Sequence, residues 1–192
     1  NIMQRIPRLK PISDKKVLIV GVGALGSHIV WQLARAGIQS ITIIDFDIVQ
    51  VGNIPRWLLG FFAVGKLKVE IINSFLTQSF PGIKCTSIAL HIGVDQTIPV
   101  NRKPVDAHDY LSNIIRGSDL VIDSTAETNV TNYLSSLCSQ NSTPFVWATA
   151  TQGGWGGIVG RVIPEITKGN WMDFSYHSAN GDIPAPAAEE GS

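Results

Sequence analysis

The stretch Val17-Leu-Ile-Val-Gly-Val-Gly-Ala-Leu-Gly26, followed by Ile41-Thr-Ile-Ile-Asp45, constrains the fold of this chain more than any other. Val17 to Val20 form a short apolar run, as expected of a strand buried on both faces of a parallel sheet. Gly21, Gly23 and Gly26 then permit a tight turn, a close approach to the backbone and close packing of the next helix. Ala24 to Ala36 carries Leu25, Ile29, Leu33 and Ala36 at helical spacing, and Gly37 ends it as a C-terminal cap. The first turn of such a helix has unpaired N–H groups and the positive end of the helix dipole, so it can hold a phosphate without a basic side chain. Asp45 closes the second strand about 20 residues after the last glycine, where a carboxylate can accept hydrogen bonds from ribose hydroxyls. Strand, glycine turn, helix and acid-ended strand together read as a nucleotide site.

The rest of the chain continues the alternation. After an irregular stretch over Phe46–Val64, Lys66–Ser79 reads as a helix with Val69, Ile72, Phe75 and Leu76 on one face, stopped by Pro81-Gly82. Ile83–Leu90 reads as a third strand, and Gly93–Val105, with Pro99 and Pro104, as a loop. A short helix over Ala107–Arg116 precedes the buried strand Leu120–Asp123, and a helix over Glu127–Gln140 precedes a strand at Phe145–Thr149. The glycine-rich turn Gln152-Gly-Gly-Trp-Gly-Gly157 leads to a sixth strand at Ile158–Ile163. Strands alternating with helices imply right-handed crossovers, hence an α/β, Rossmann-like doubly wound, mostly parallel sheet with helices on both faces. Residues 1–16 form a lead-in, residues 17–167 one domain, and residues 168–192 an irregular C-terminal segment.

Composition narrows the function classes. The chain has 192 residues, 44% hydrophobic and 16% charged, which suits one globular domain with a sizeable core. Fifteen basic residues balance fifteen acidic ones, so no global field gathers nucleic acid or an anionic membrane, and neither partner is expected. Cys85 and Cys138 stand apart with no Cys-x-x-Cys pair, which encodes neither a disulfide framework nor a zinc site and suggests a reducing cytoplasm. Cys138 lies on an apolar helical face and reads as a buried small hydrophobe. His28, His91, His108 and His177 share no metal-ligand spacing. No apolar run is long enough to span a bilayer, and no signal-peptide core stands at the N-terminus.

Three further polar residues separate two kinds of nucleotide chemistry. A dinucleotide reader does not need Asn53, Arg56 and Lys68, whereas a triphosphate site that neutralises a departing pyrophosphate does. Asp123 ends a strand at the edge where doubly wound folds bind ligands, a suitable place for a magnesium ion shared with phosphate oxygens.

These residues, together with Asp45-Phe-Asp47-Ile-Val, Asn53-Ile-Pro-Arg56, Val64-Gly-Lys-Leu-Lys68-Val-Glu and Asp123-Ser-Thr125, resemble the ubiquitin-activating-enzyme superfamily in its ThiF/MoeB/HesA branch, over about Lys16 to Pro164. The resemblance implies ATP-dependent adenylation of the C-terminal glycine of a ubiquitin-like or sulfur-carrier protein, with residues 17–167 as the adenylation domain in a homodimer. By that resemblance Asp45 holds the ribose, Asn53, Arg56 and Lys68 the phosphates, and Asp123 the magnesium, with Asp47 a supporting residue near the nucleotide. The chain departs from the family pattern at Trp57, where glutamine often follows the arginine, and at Ala126, where a second acid is common. No later thioester-forming cysteine or paired zinc ligands appear in these residues, and Arg5 and Arg8 stand too close to Gly21 to match an arginine that many family members supply from a partner.

Two other readings stay open. An NAD-linked oxidoreductase explains the glycine turn and Asp45 but not the polar set, and a catalytically silent subunit explains the fold alone. The run Trp57-Leu-Leu59 with Phe61-Phe62 suits either an interface or the core, and Gly153–Gly157 either a path for a flexible glycine tail or a plain turn.

Overall fold

The computed structural model of the chain describes residues 7–151, 154 and 156–183. A six-stranded sheet forms its centre, in the order β3-β2-β1-β6-β7-β8. The strands are β1 (Lys16–Val20), β2 (Ser40–Ile44), β3 (Lys84–Ile88), β6 (Leu120–Asp123), β7 (Phe145–Thr151) and β8 (Gly156–Val162). All neighbours are parallel except β7 and β8. That last pair follows from its connection: residues 152–155 leave no room for the crossover that parallel strands require.

Helices cover both faces because the strands are apolar on both. On one face, Val17 and Ile19 of β1 and Ile41 and Ile43 of β2 pack with Val30 and Ala34 of α1 (Ala24–Ala36) and Val69, Ile72 and Leu76 of α2 (Lys68–Ser79). On the other, Leu18, Val20, Ile44 and Val121 meet Leu111 and Ile115 of α3 (Ala107–Arg116) and Leu134, Leu137 and Cys138 of α4 (Thr128–Gln140). Alternate side chains of one strand thus feed two cores. The strand order reverses between β1 and β6, so the carboxyl ends of these two strands form the switch point at which a doubly wound sheet binds ligands.

Two segments depart from the sequence reading. Within the stretch expected as a loop, β4 (Thr97–Val100) and β5 (Lys103–Asp106) form an antiparallel hairpin. Pro99 and Pro104 stand directly opposite each other, and a pair that needs no N–H between the strands tolerates both prolines. Asn101 and Arg102 close the hairpin with φ of 50° and 65°, the left-handed conformations of a tight two-residue turn. In the C-terminal segment expected to be irregular, Trp171–Ala179 forms α5, capped by Asn170, whose side chain accepts from Met172 and Asp173 amides while Asp173 accepts from the Asn170 amide. Trp171 and Phe174 of this helix pack against Trp147, with ring centroids 5.2 and 5.7 Å away. The irregular stretch after β2 contains two short 3₁₀ turns, Val51–Arg56 and Phe61–Ala63. Its apolar run divides: Trp57 and Leu59 are buried, whereas Phe61 and Phe62 are exposed. Gln152, Gly153 and Trp155 of the glycine-rich turn lie outside the described residues, as does Arg5.

Candidate nucleotide site

The glycine turn between β1 and α1 is held from several sides. Gly21 takes φ of 81°, donates its amide to the Ile44 carbonyl at 2.8 Å, and presses on the Ser124–Thr125 backbone, leaving no space for a Cβ. A Cβ at Gly26 would overlap the Gly21 carbonyl oxygen, so this glycine sets how closely α1 approaches the turn. Gly23 differs: a Cβ there would meet nothing within 4 Å. It is also the N-cap of α1, with no side chain capping the helix and no acid in the first turn, so the amides at the helix start stay available to an anion.

Asp45 leaves the end of β2 and joins two backbones. One oxygen accepts the Val22 amide of the glycine turn at 2.8 Å, and the other the Asp47 amide at 2.9 Å. Asp47 in turn accepts from the ammonium of Lys68 at 2.7 Å, and its carbonyl accepts the Lys68 amide at 2.9 Å. Lys68 is the first residue of α2, and its side chain is 9% exposed. A cleft of about 470 Å³ is lined by Gly21, Gly23, Asp45, Asp47 and Lys68 on one side and by Thr125, Glu127 and Asn129 on the other. Beyond Asp45 its wall turns apolar, through Leu90, Ile92 and Val94, with Phe46 stacked on His91 at 3.7 Å.

The structure brings together part of the polar set. Asn53 and Arg56 stand on the 3₁₀ turn Val51–Arg56 and are not among the side chains lining the cleft. Asn53 is half-buried and accepts the Gln50 amide at 2.9 Å; Arg56 is exposed and its side chain makes no hydrogen bond or ion pair among the described residues. Asp123 is buried, 1% exposed, and does not line the cleft. Its carboxylate accepts the Thr125 amide at 2.9 Å, the Thr125 hydroxyl at 2.7 Å and the Thr131 hydroxyl, which fixes the turn from β6 into α4. The Asp123 carboxylate is thus committed to the turn from β6 into α4 and not to the lining of the cleft.

Several residues of the site have no role assigned to them in it by the sequence analysis. Trp57, at the position where the family pattern often has glutamine, donates its indole N–H to the Val22 carbonyl at 2.7 Å and braces the glycine turn. The Ser124 hydroxyl donates to the Gly21 carbonyl at 2.7 Å and locks the turn to β6. Phe46 and His91 were legible only as neighbours of strand ends; their stacking depends on the pairing of β2 with β3. Cys138 is buried under α4, and burial followed by the nearby Asp123 carboxylate pushes its thiol up to about 12, consistent with the packing role read from sequence.

Known proteins are similar to this chain in sequence and in fold. A family model described as the ThiF family matches residues 4–186. An uncharacterized protein of Sinorhizobium fredii, y4oA, is 30% identical over 191 residues, covering 98% of this chain and 32% of its own length. The molybdopterin-synthase adenylyltransferase of Salmonella typhimurium is 34% identical over 140 residues, covering 72% of this chain and 51% of its own. A crystal structure of E. coli MccB with MccA-N7isoASN superposes with a TM-score of 0.71 at 25% identity, covering 85% of this chain and 43% of that one. The chain thus spans between a third and about half the length of these relatives. A doubly wound sheet with its glycine turn, strand-end aspartates and buried lysine gathered at the switch point, matched by one family model along nearly the whole sequence, makes this chain a member of the ThiF family.

Proposed function

We propose that the chain binds ATP in the cleft and adenylates the C-terminal glycine carboxylate of a ubiquitin-like or sulfur-carrier protein, releasing pyrophosphate. One observation carries the reading: an acid suited to a ribose, an uncapped helix start and a buried lysine line one cleft at the switch point of the sheet. The resemblance to a molybdopterin-synthase adenylyltransferase supports the reaction class.

In this reading the Asp45 oxygens, each accepting one amide, retain lone pairs for the ribose hydroxyls. Amides at the start of α1 hold phosphate oxygens beside the open face of Gly23, and Lys68 supplies a fixed positive charge. Asn53 and Arg56 reach the phosphates by a shift of their short 3₁₀ turn. A carboxylate oxygen of the carrier attacks the α-phosphorus; the bond from that phosphorus to the bridging oxygen breaks, and pyrophosphate leaves with the electron pair. Two anions approach one another, so preorganised donors and correct placement account for the catalysis. A magnesium ion accompanying the triphosphate would supply further charge neutralisation, and Asp123, whose carboxylate bonds Thr125 and Thr131, would be the residue to hold it.

Isotope exchange between pyrophosphate and ATP, measured with candidate carriers ending in glycine, tests the proposal. Carrier-dependent exchange supports it. Protection of the chain against melting by NAD but not by ATP replaces it with the oxidoreductase, and protection by neither leaves the silent subunit. A second reading keeps the chemistry with an MccA-like partner in place of the carrier protein, favoured by the match to MccB crystallised with MccA-N7isoASN; exchange stimulated by MccA and by no carrier protein selects it. The homodimer is proposed on the exposed apolar side chains Ile48, Val51, Phe61 and Phe62, and sedimentation of Phe61→Asp/Phe62→Asp as a monomer where the parent chain is a dimer tests it.

A further inference from the structure

We propose that Asp47 is a positioning residue: its carboxylate holds the buried Lys68 ammonium at the cleft, so that an acid beside the phosphate site strengthens phosphate binding instead of opposing it. The inference rests on the nucleotide reading above and assigns Asp47 no contact with the ligand.

Lys68 is held at both ends. Its amide donates to the Asp47 carbonyl at 2.9 Å and its ammonium to the Asp47 carboxylate at 2.7 Å. The Asp47 amide in turn donates to Asp45, which accepts the Val22 amide of the glycine turn. A continuous run of short bonds therefore links the turn at the start of α1 to the ammonium at the start of α2. The Lys68 side chain is 9% exposed, and an ammonium so far out of water is strongly disfavoured without a counter-charge. Among the described residues Asp47 is the carboxylate at ion-pair distance from the Lys68 ammonium, so it supplies that charge. The pair uses one of the three ammonium N–H donors and leaves two for phosphate oxygens.

Simple Coulomb reasoning gives the opposite sign. A carboxylate near a polyphosphate repels it, and removing the charge would tighten binding. The geometry points the other way because the Asp47 side chain is 49% exposed, where water screens its repulsion, while the ammonium it fixes is almost wholly desolvated. The sign of the effect separates the two accounts.

The experiment measures binding of adenosine, AMP, ADP and ATP to the full chain by calorimetry, for the parent, Asp47→Asn, Lys68→Met and the double variant. Asp47→Asn is expected to weaken ATP roughly tenfold, the scale of one charge-assisted hydrogen bond. The loss shrinks as phosphates are removed and vanishes for adenosine, which a merely structural defect would weaken equally. With Lys68→Met already present, Asp47→Asn causes no further loss. Asp47→Ser gives the same readout should Asp47→Asn fail to fold. ATP bound as tightly or more tightly by Asp47→Asn, or an equal loss for adenosine, overturns the inference and leaves the nucleotide reading standing. A parent chain that binds no ATP overturns both.

Discussion

Gly26 has no room for a side chain, because its Cα faces the Gly21 carbonyl at the point where α1 meets the turn. Gly26→Ala is expected to lower stability by about 3 kcal/mol in urea unfolding, the upper range for overpacking at a site that cannot relax. Gly23, facing open space, tolerates alanine in the same measurement and instead loses nucleotide affinity. Lys68→Ala is expected to reduce adenylation by at least about 100-fold, the usual loss when one fixed charge is removed from a developing anion. Arg56→Ala reaches the same loss only if the 3₁₀ turn closes over the phosphates, so comparison of the two rates reports on that movement. The glycines and Asp45 were legible because their spacing along the chain is the chemistry itself. Trp57 was not, since the backbone carbonyl that accepts its indole N–H belongs to Val22, in a distant segment.

At the level of elements, the β4–β5 hairpin hid behind its prolines. Pro99 and Pro104 signal a break when read singly, yet placed opposite each other they need no N–H and leave the pairing intact. Its turn is strained, with Asn101 and Arg102 both at positive φ. Arg102→Gly relieves that strain and is expected to stabilise the chain by about 0.5–1 kcal/mol, read as a higher urea midpoint. Helix α5 was missed for a different reason: the apolar residues it packs inward, Trp171 and Phe174, are too few to make a periodic stripe, and they acquire meaning only through Trp147. Gly160 shows the same dependence, for a Cβ there would fall within the Trp147 indole. Long apolar runs and regular amphipathic helices, in contrast, declared the main sheet and four of its helices from periodicity alone.

Across the whole molecule, the two thiols couple folding to alkaline pH. Burial pushes Cys85 to about 11 and Cys138 to about 12, against the ordinary value of 9.0. Both are raised in the fold, so their contribution is fully present below pH 9, where the unfolded thiols are still protonated, and is lost as pH rises from there through 11 and 12. Urea midpoints are expected to hold at pH 8 and decline above pH 9, and the decline is shallower in a Cys85→Ser/Cys138→Ala variant measured against its own value at pH 8. Among the described residues no helix is long and apolar enough to cross a membrane.

The reversal of strand order between β1 and β6 has a mechanical consequence. The cleft at that seam is walled by Gly21 and Asp45 from the first half of the sequence and by Thr125 and Asn129 from the second. A molecule seated there rivets two portions of chain whose strands are joined in the main sheet through the β1–β6 pairing, so hydrogen exchange should slow on both flanks of the seam together when the cleft is filled.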